Sequence, residues 1–373
     1  MVLPFLSKYL KEDLHFSYSD VGWIMVCFGA GSILGSWLGG KLSDKIGFYK
    51  IMIFSLLVSG LMLLIIQFIT SFVGLCISMF LIMTVADMYR PAMFVSLGAY
   101  AKPENRTRAL TLVRLAINLG FAAGPALGGL IIMSIGYKGL FWVDGATCII
   151  AILIFWLMVK EKKKTDYRDK QNPGEIFTHS VFKDKPFWVF LFTCLVTGVL
   201  FFQLFTTIPL YHKEQFNLTE FQTGLLLTMN GLLIFFLEMP IVSYVERNQI
   251  SKIKVVAVGC LLMAVSLFLM LITAWAGILI IMMLFMTFGE MFSFPFSNSV
   301  ALSRAPKGHE GRYMAIYTMS FSSAHIVSAK VGFGIIDFYK PNGYEINWLF
   351  MGILGLLGFL SGIWFYRLLL NEK

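Results

Sequence analysis

Charge is scarce in this sequence. Lysine, arginine, aspartate and glutamate make up 14% of its 373 residues and hydrophobic residues 58%, and the mean hydropathy is +0.77. A soluble domain needs far more polar surface, so the composition excludes one and points to a chain that crosses a membrane many times. Cysteine is scarce too. Cys27, Cys76, Cys148, Cys194 and Cys260 all fall inside apolar runs at no metal-ligand spacing, which makes them packing residues. The five histidines are scattered, and there is no His-Glu-x-x-His array, Ser/His/Asp set, phosphate loop or dinucleotide fingerprint. An enzyme is therefore not expected, nor a cofactor or a metal. Basic residues do not interleave with aromatics outside the apolar runs, which removes nucleic acid as a partner.

What is present is length. Apolar stretches of about 20 residues, enough to cross roughly 30 Å of hydrocarbon, lie at about 18–40, 51–70, 74–97, 109–134, 139–159, 187–210, 221–244, 254–273, 277–302, 313–336 and 347–369. Before them, residues 1–10 are apolar but would cover only about 15 Å as a helix. With no basic leader and no small-residue cleavage site, this stretch reads as the outer half of a first helix whose beginning lies outside the chain.

Lysine and arginine concentrate on one set of loops, among them Lys41, Lys45, Lys50, Lys160, Lys162, Lys163, Lys164, Arg247, Lys252, Arg304 and Arg367. Only Lys8, Lys11, Lys138, Lys213 and Lys340 fall on the other set. The asymmetry assigns the lysine-rich side and the C-terminus to the cytoplasm and explains the net charge of +9 through contact with anionic lipid. Residues 160–186 are the longest polar segment, with a triple lysine and Asn172-Pro173-Gly174. They read as a linker between a six-helix bundle at 1–159 and another at 187–373. Two six-helix bundles joined by a long inner loop is the layout of carriers that rock one bundle against the other.

Two stretches carry further information. Between the second and third helices, Gly40-Lys41-Leu42-Ser43-Asp44-Lys45-Ile46-Gly47 has glycines that permit a tight turn and an acid that a neighbouring helix N-terminus could receive. A solvated loop acid is the plainer reading of Asp44. Within the fifth helix, Gly120-Phe121-Ala122-Ala123-Gly124-Pro125-Ala126-Leu127-Gly128-Gly129 combines small residues for close helix approach with a proline that bends the rod. Arg114 and Asn118 stand just upstream.

The first stretch resembles the inner-loop signature of the major facilitator superfamily, and the second resembles the fifth-helix signature of that superfamily's drug/proton antiporters. The resemblance implies an all-α polytopic fold of two six-helix bundles, the first helix being truncated here. It also implies that Gly40, Asp44, Gly47, Arg114, Asn118, Gly120, Gly124, Pro125 and Gly128 serve gating, Asp44 locking the inner gate against the helix that starts near Gly311 and Arg312. The sequence departs from the pattern at Phe48, where the signature has arginine, and in the fourth helix, which offers Asp87 and Arg90 instead of an earlier arginine. Gly289-Glu290 followed by Pro295 also occurs in proton-dependent peptide transporters of the same superfamily.

Charges inside apolar spans cost about 2.5–3.5 kcal/mol each on the insertion scale, so each needs a reason. Asp87 and Arg90, three apart, can neutralise each other as a structural pair or act as a proton switch. Glu290 is the first candidate to carry a proton, because it lies mid-helix near a bend; Glu238, before Pro240, is the second. Lys330 and His325 could pair with an acid or bind an anionic substrate. The many phenylalanines near Glu290 suit a greasy cavity for amphipathic compounds. The expected function is a proton-coupled exporter of hydrophobic drugs or small metabolites, monomeric, in a bacterial inner membrane. Its partners would be a small-molecule substrate, protons and membrane lipid. A proton-coupled importer of peptides or another metabolite is the alternative within transport, and a non-transporting receptor or scaffold the alternative outside it.

Overall fold

A computed structural model describes residues 2–100, 106–161, 181–272, 275–305 and 310–371, and among them there are helices and turns but no strands. The helices are α1 (Leu3–Lys8), α2 (Tyr18–Ile46), α3 (Phe48–Ile66), α4 (Phe72–Ala86), α5 (Tyr89–Tyr100), α6 (Arg106–Met158), α7 (Lys185–Phe202), α8 (Ile208–Phe216), α9 (Glu220–Arg247), α10 (Lys252–Leu269), α11 (Ile278–Arg304), α12 (Glu310–Phe338) and α13 (Gly343–Asn371). Among the described residues ten stretches are long and apolar enough to cross a membrane. One of them, Ala116–Met158, is 43 residues long, about 65 Å at 1.5 Å per residue. It is divided at Gly136, whose φ of 75° and ψ of −178° reverse the chain. The eleven spans expected from apolar length are therefore present. Large apolar side chains such as Leu153, Trp156, Leu157 and Leu360 stand on the outer surface, as lipid-facing helices require.

The structure makes three corrections, two of them to expected spans. The fourth is not one rod: α4 ends at Ala86 and α5 starts at Tyr89. Pro91 causes this, since its ring clashes with the carbonyl four residues back, at Asp87, and it brings no N–H. Ser55 on α3 donates its hydroxyl to the carbonyls of Val85 (2.6 Å) and Ala86 (3.1 Å), so the break leaves them satisfied at membrane depth. The seventh span also breaks. After α7 the chain tightens into a 3₁₀ turn over Gln203–Phe205 and resumes as α8, with Pro209 in its first turn. The third correction is at the start of the chain, where Lys8 is not a loop lysine but fully buried at the end of α1. The next turn, Tyr9–Asp13, is a π-helix.

Helix pairs approach closely where side chains are missing. A Cβ on Gly31, Gly35 or Gly39 would lie 2.3–2.6 Å from the backbone of Phe80, Thr84 and Met88 respectively, so α2 lies directly on α4 and the break that follows it. The second part of the chain uses the same device where Gly259 of α10 meets Gly289 of α11, and adds a core of sulfur and aromatics around Cys260, Met263, Met282, Met283, Met286, Trp348 and Met351.

The apolar clusters differ between the two ends of the bundle. At the lysine-poor end one cluster joins both parts of the chain, with Leu6, Tyr9, Tyr18, Met25 and Phe141 packed against Leu210, Phe333 and Ile336. At the lysine-rich end Phe48, Met52 and Met88 form one cluster within the first part. Phe187, Tyr313 and Phe365 belong to another within the second. The two parts are thus sealed together at one end and cored separately at the other. Most of the 160–186 segment expected as a linker lies outside the described residues.

Candidate functional site

Polar contacts reinforce the seal. Lys8 Nζ donates to Glu220 Oε1 at 3.1 Å, joining the end of α1 to the start of α9. Tyr18 donates its hydroxyl to the Glu214 carboxylate at 2.5 Å, while the ammonium groups of Lys11 and Lys340 sit 4.3 and 4.7 Å from the Tyr18 ring centre. Tyr137 donates to Glu12 at 3.3 Å. Burial pushes the Glu12 carboxyl up, and the nearby Lys8 ammonium partly offsets this. Beside these contacts α6 meets α9 backbone to backbone. A Cβ on Gly224 would lie 2.4 Å from the Pro125 carbonyl oxygen, one on Gly129 2.6 Å from that of Glu220, and one on Gly231 2.6 Å from Ala122 Cα.

Backbone cannot yield as a flexible side chain can, so Gly224→Leu must hold α6 and α9 apart. The variant is expected to reach the membrane at normal abundance, because insertion follows apolarity, while transport falls to background. Abundance in the membrane fraction and substrate flux in the same vesicles measure the two effects, and unimpaired flux would show that the pair tolerates separation.

Beneath the seal lies an aromatic layer shared by both parts of the chain. Phe121 on α6 lies 6.4 Å from Phe205, which continues through Phe201 (5.4 Å), Phe294 (4.9 Å) and Phe321 (5.2 Å). His325 on α12 is held between Phe28 on α2 (5.0 Å) and Phe202 on α7 (4.7 Å). It is buried, and among the described residues neither ring nitrogen has a hydrogen-bond partner. Lys330, one and a half turns further along, points away from this layer and rests over the Trp23 ring at 4.1 Å.

Glu290 stands in the middle of α11 and faces α9. Asn230 donates one Nδ2 to Glu290 Oε2 at 3.0 Å and to Thr287 Oγ1 at 2.9 Å. Among the described residues no cation pairs with Glu290, so its only polar contact is a neutral amide. Glu238 lies two turns along α9 from Asn230 and is buried, whereas Glu290 is half-buried.

On the other part of the chain Asp87 sits at the α4–α5 break, accepts the Ser32 hydroxyl from α2, and lies 3.5 Å from an Arg90 nitrogen. Arg90 and Pro91 line a cavity of about 630 Å³ with Ile33 and Trp37 of α2 and Met319 and Ser322 of α12.

Of the signature residues, Gly47 turns the chain between α2 and α3 with φ 102° and has open space around it, as do Gly40 and Gly120. A Cβ on Gly128 would lie 3.0 Å from the Phe5 ring on α1; Asn118 and Gly124 are half-buried on α6 and Pro125 is buried. The side chains of Asp44, Arg114 and Arg312 lie outside the described residues. Sequence reading did not find the contact among Asp184, Arg304 and Tyr313 that ties α7, α11 and α12 at the lysine-rich end. Arg304 grips the carboxylate through Nε (2.9 Å) and a terminal nitrogen (2.8 Å), and Tyr313 adds a hydroxyl at 3.0 Å. Burial works to raise the Asp184 carboxyl, but Arg304, the Phe187 N–H and Tyr313 outweigh it and hold it below the usual carboxylate range.

Two helix groups sealed at one end, with buried charges and a cavity between them, define a membrane transporter of the all-helical, two-bundle type. The chain belongs to the Major Facilitator Superfamily, whose family model matches residues 1–329. It is 23% identical over 356 residues to an uncharacterised transporter of this type, YttB of Bacillus subtilis, covering 95% of this chain and 88% of the relative. A Na⁺, Li⁺, K⁺/H⁺ antiporter of Planococcus maritimus is 22% identical, with 99% and 92% covered. The quinolone resistance protein NorA of Staphylococcus aureus is 26% identical over 62% of this chain and 59% of its own length. Among solved structures, a bacterial homologue of the human lysosomal transporter Spinster, inward-facing and occupied, superposes with a TM-score of 0.80. It is 12% identical, with 100% of this chain and 94% of that one covered.

Proposed function

We propose that the protein is a proton-coupled antiporter that exports hydrophobic or amphipathic small molecules from the cytoplasm across a bacterial plasma membrane. The lysine-rich end and the C-terminus face the cytoplasm, in keeping with the positive-inside distribution. Residues 1–159 and 187–373 rock as two bundles about the aromatic layer, with 160–186 as their linker, and one chain suffices. The observation that carries this reading is Glu290, a carboxyl deep in a span whose only polar contact among the described residues is a neutral amide. Such a group is tolerated in lipid because it can change its protonation as the surroundings change. The names of two relatives, a cation/proton antiporter and a quinolone resistance protein, support antiport and efflux. Asp44 and Arg114 belong to the gating loops in this reading, and Asp87 and Glu238 are secondary proton sites.

Proteoliposomes loaded with a pH-sensitive dye and given an imposed pH gradient test the proposal. Adding a transported compound from a panel of drugs, peptides and metabolites should speed the collapse of the gradient. Compound movement with no proton movement would refute the coupling, and the same acceleration by a receptor-like protein without flux is not possible.

A further inference from the structure

Arg90 is the most exposed charge at the cavity between α2, α5 and α12, and its partner does not use it up. Its side chain is 64% exposed, while that of Asp87 is 11% exposed. One guanidinium nitrogen lies 3.5 Å from Asp87, longer than the 2.7–2.9 Å typical of a charge-assisted hydrogen bond. Among the described residues none of the five guanidinium N–H groups makes a hydrogen bond. Asp87 is meanwhile turned toward the Ser32 hydroxyl, and Ser55 bonds the freed carbonyls instead of the carboxylate. The rest of the cavity wall used here is apolar or hydroxylic: Ile33, Trp37, Pro91, Met319 and Ser322.

A fork of donors at the edge of a greasy space of drug size matches one kind of ligand. We propose that this cavity binds amphipathic organic anions, with the carboxylate, sulfonate or phosphate head on Arg90 and the apolar body against Trp37, Ile33 and Met319. This rests on the carrier reading above and supplies its substrate class. Asp87 is then the competitor for the guanidinium. Of the elements packed around the pair, α2 presents Ser32, α3 presents Ser55 and α12 presents Thr318 and Ser322; the other cation at this wall is Lys41 of α2, whose ammonium sits 5.0 Å from the Trp37 ring centre.

A matched pair of fluorescent probes tests the assignment on the full chain in an uncharged detergent: 8-anilino-1-naphthalenesulfonate, an anion, and N-phenyl-1-naphthylamine, its neutral counterpart. Arg90→Gln should weaken the sulfonate about tenfold or more, the loss expected for a hydrogen bond to a charged group, and leave the amine unchanged. Arg90→Lys should retain part of the affinity. Asp87→Asn should tighten the sulfonate, a gain that misfolding cannot imitate. Equal sulfonate binding by Arg90→Gln, weaker binding by Asp87→Asn, or preference for the cation rhodamine 6G would each overturn the proposal. Displacement of the sulfonate by phosphatidylglycerol would assign the site to a lipid headgroup and overturn it too. Proton-coupled flux of a cation alone would sink the anion assignment and keep the carrier, whereas Arg90-dependent anion binding without flux would keep the assignment and sink the carrier.

Discussion

Proteoliposomes containing Glu290→Gln will exchange substrate across the membrane but will no longer concentrate it against a pH gradient. Glutamine preserves the volume of the side chain and its carbonyl oxygen can still accept from Asn230, so the α9–α11 contact at 3.0 Å survives. What disappears is the only group at that place able to take up and release a proton. Gradient-driven flux should fall to background, about a hundredfold or more where coupling is lost outright, while counterflow, which needs no net proton movement, persists. Asn230→Ala should give a milder version, because the carboxyl remains but loses its donor. Full gradient-driven flux in Glu290→Gln would move the proton site to Asp87 or Glu238.

The second large effect is expected at the seal. Lys8 is fully buried and the Glu220 side chain 15% exposed, so Lys8→Ala leaves a carboxylate at a closed interface with its direct partner gone and only the weaker field of Lys213 to offset it. Removing one partner of a buried ion pair costs about 3–5 kcal/mol, which is roughly a hundredfold to a few thousandfold in the ratio of sealed to unsealed molecules. Spin labels on Asp13→Cys and Asn217→Cys, one on each side of the seal, should report a longer distance in Lys8→Ala than in the parent. The exchanged pair Lys8→Glu with Glu220→Lys should recover much of the short distance, since the charges remain complementary. An unchanged distance in Lys8→Ala would mean that the apolar cluster of Leu6, Tyr9, Met25 and Phe333 holds the seal without help.

The membrane spans were legible because apolar length is a local property, and so was the paired architecture, through the polar segment at its centre and the Gly120 to Gly129 stretch. The break within the fourth span was legible in principle. Pro91 stands four residues after Asp87, and the clash follows from covalent geometry, yet apolarity continues across the break and hides it. The glycine stripe Gly31, Gly35, Gly39 was open to the same small-xxx-small reasoning applied to the fifth helix. Other features were beyond sequence reasoning of this kind. Lys8 and Glu220 are separated by 212 residues, and nothing local to Lys8 distinguishes a buried cation from a loop lysine. Glu290 stood out as a charge in a span, but its partner Asn230 is an ordinary polar residue on another helix. His325 and Lys330 share a helix and were read together. The fold separates them, placing one between two aromatic rings and sending the other toward Trp23.

The interruption at Asp87 and Met88 also bears on how cheaply the lysine-rich end can move. Swinging the end of an intact helix requires main-chain hydrogen bonds to stretch or break at the bend, each worth about 1 kcal/mol. At this bend proline has already removed one such bond and a serine from the neighbouring helix holds the carbonyls left over. In the main chain, tilting the twelve residues of α5 therefore asks only for torsional change at two residues, and what resists it is the packing of Ala92 and Tyr100 in the Phe48 cluster. The fourth span behaves as a fixed post, α4 held against the glycines of α2, carrying a short flap whose joint is pre-broken.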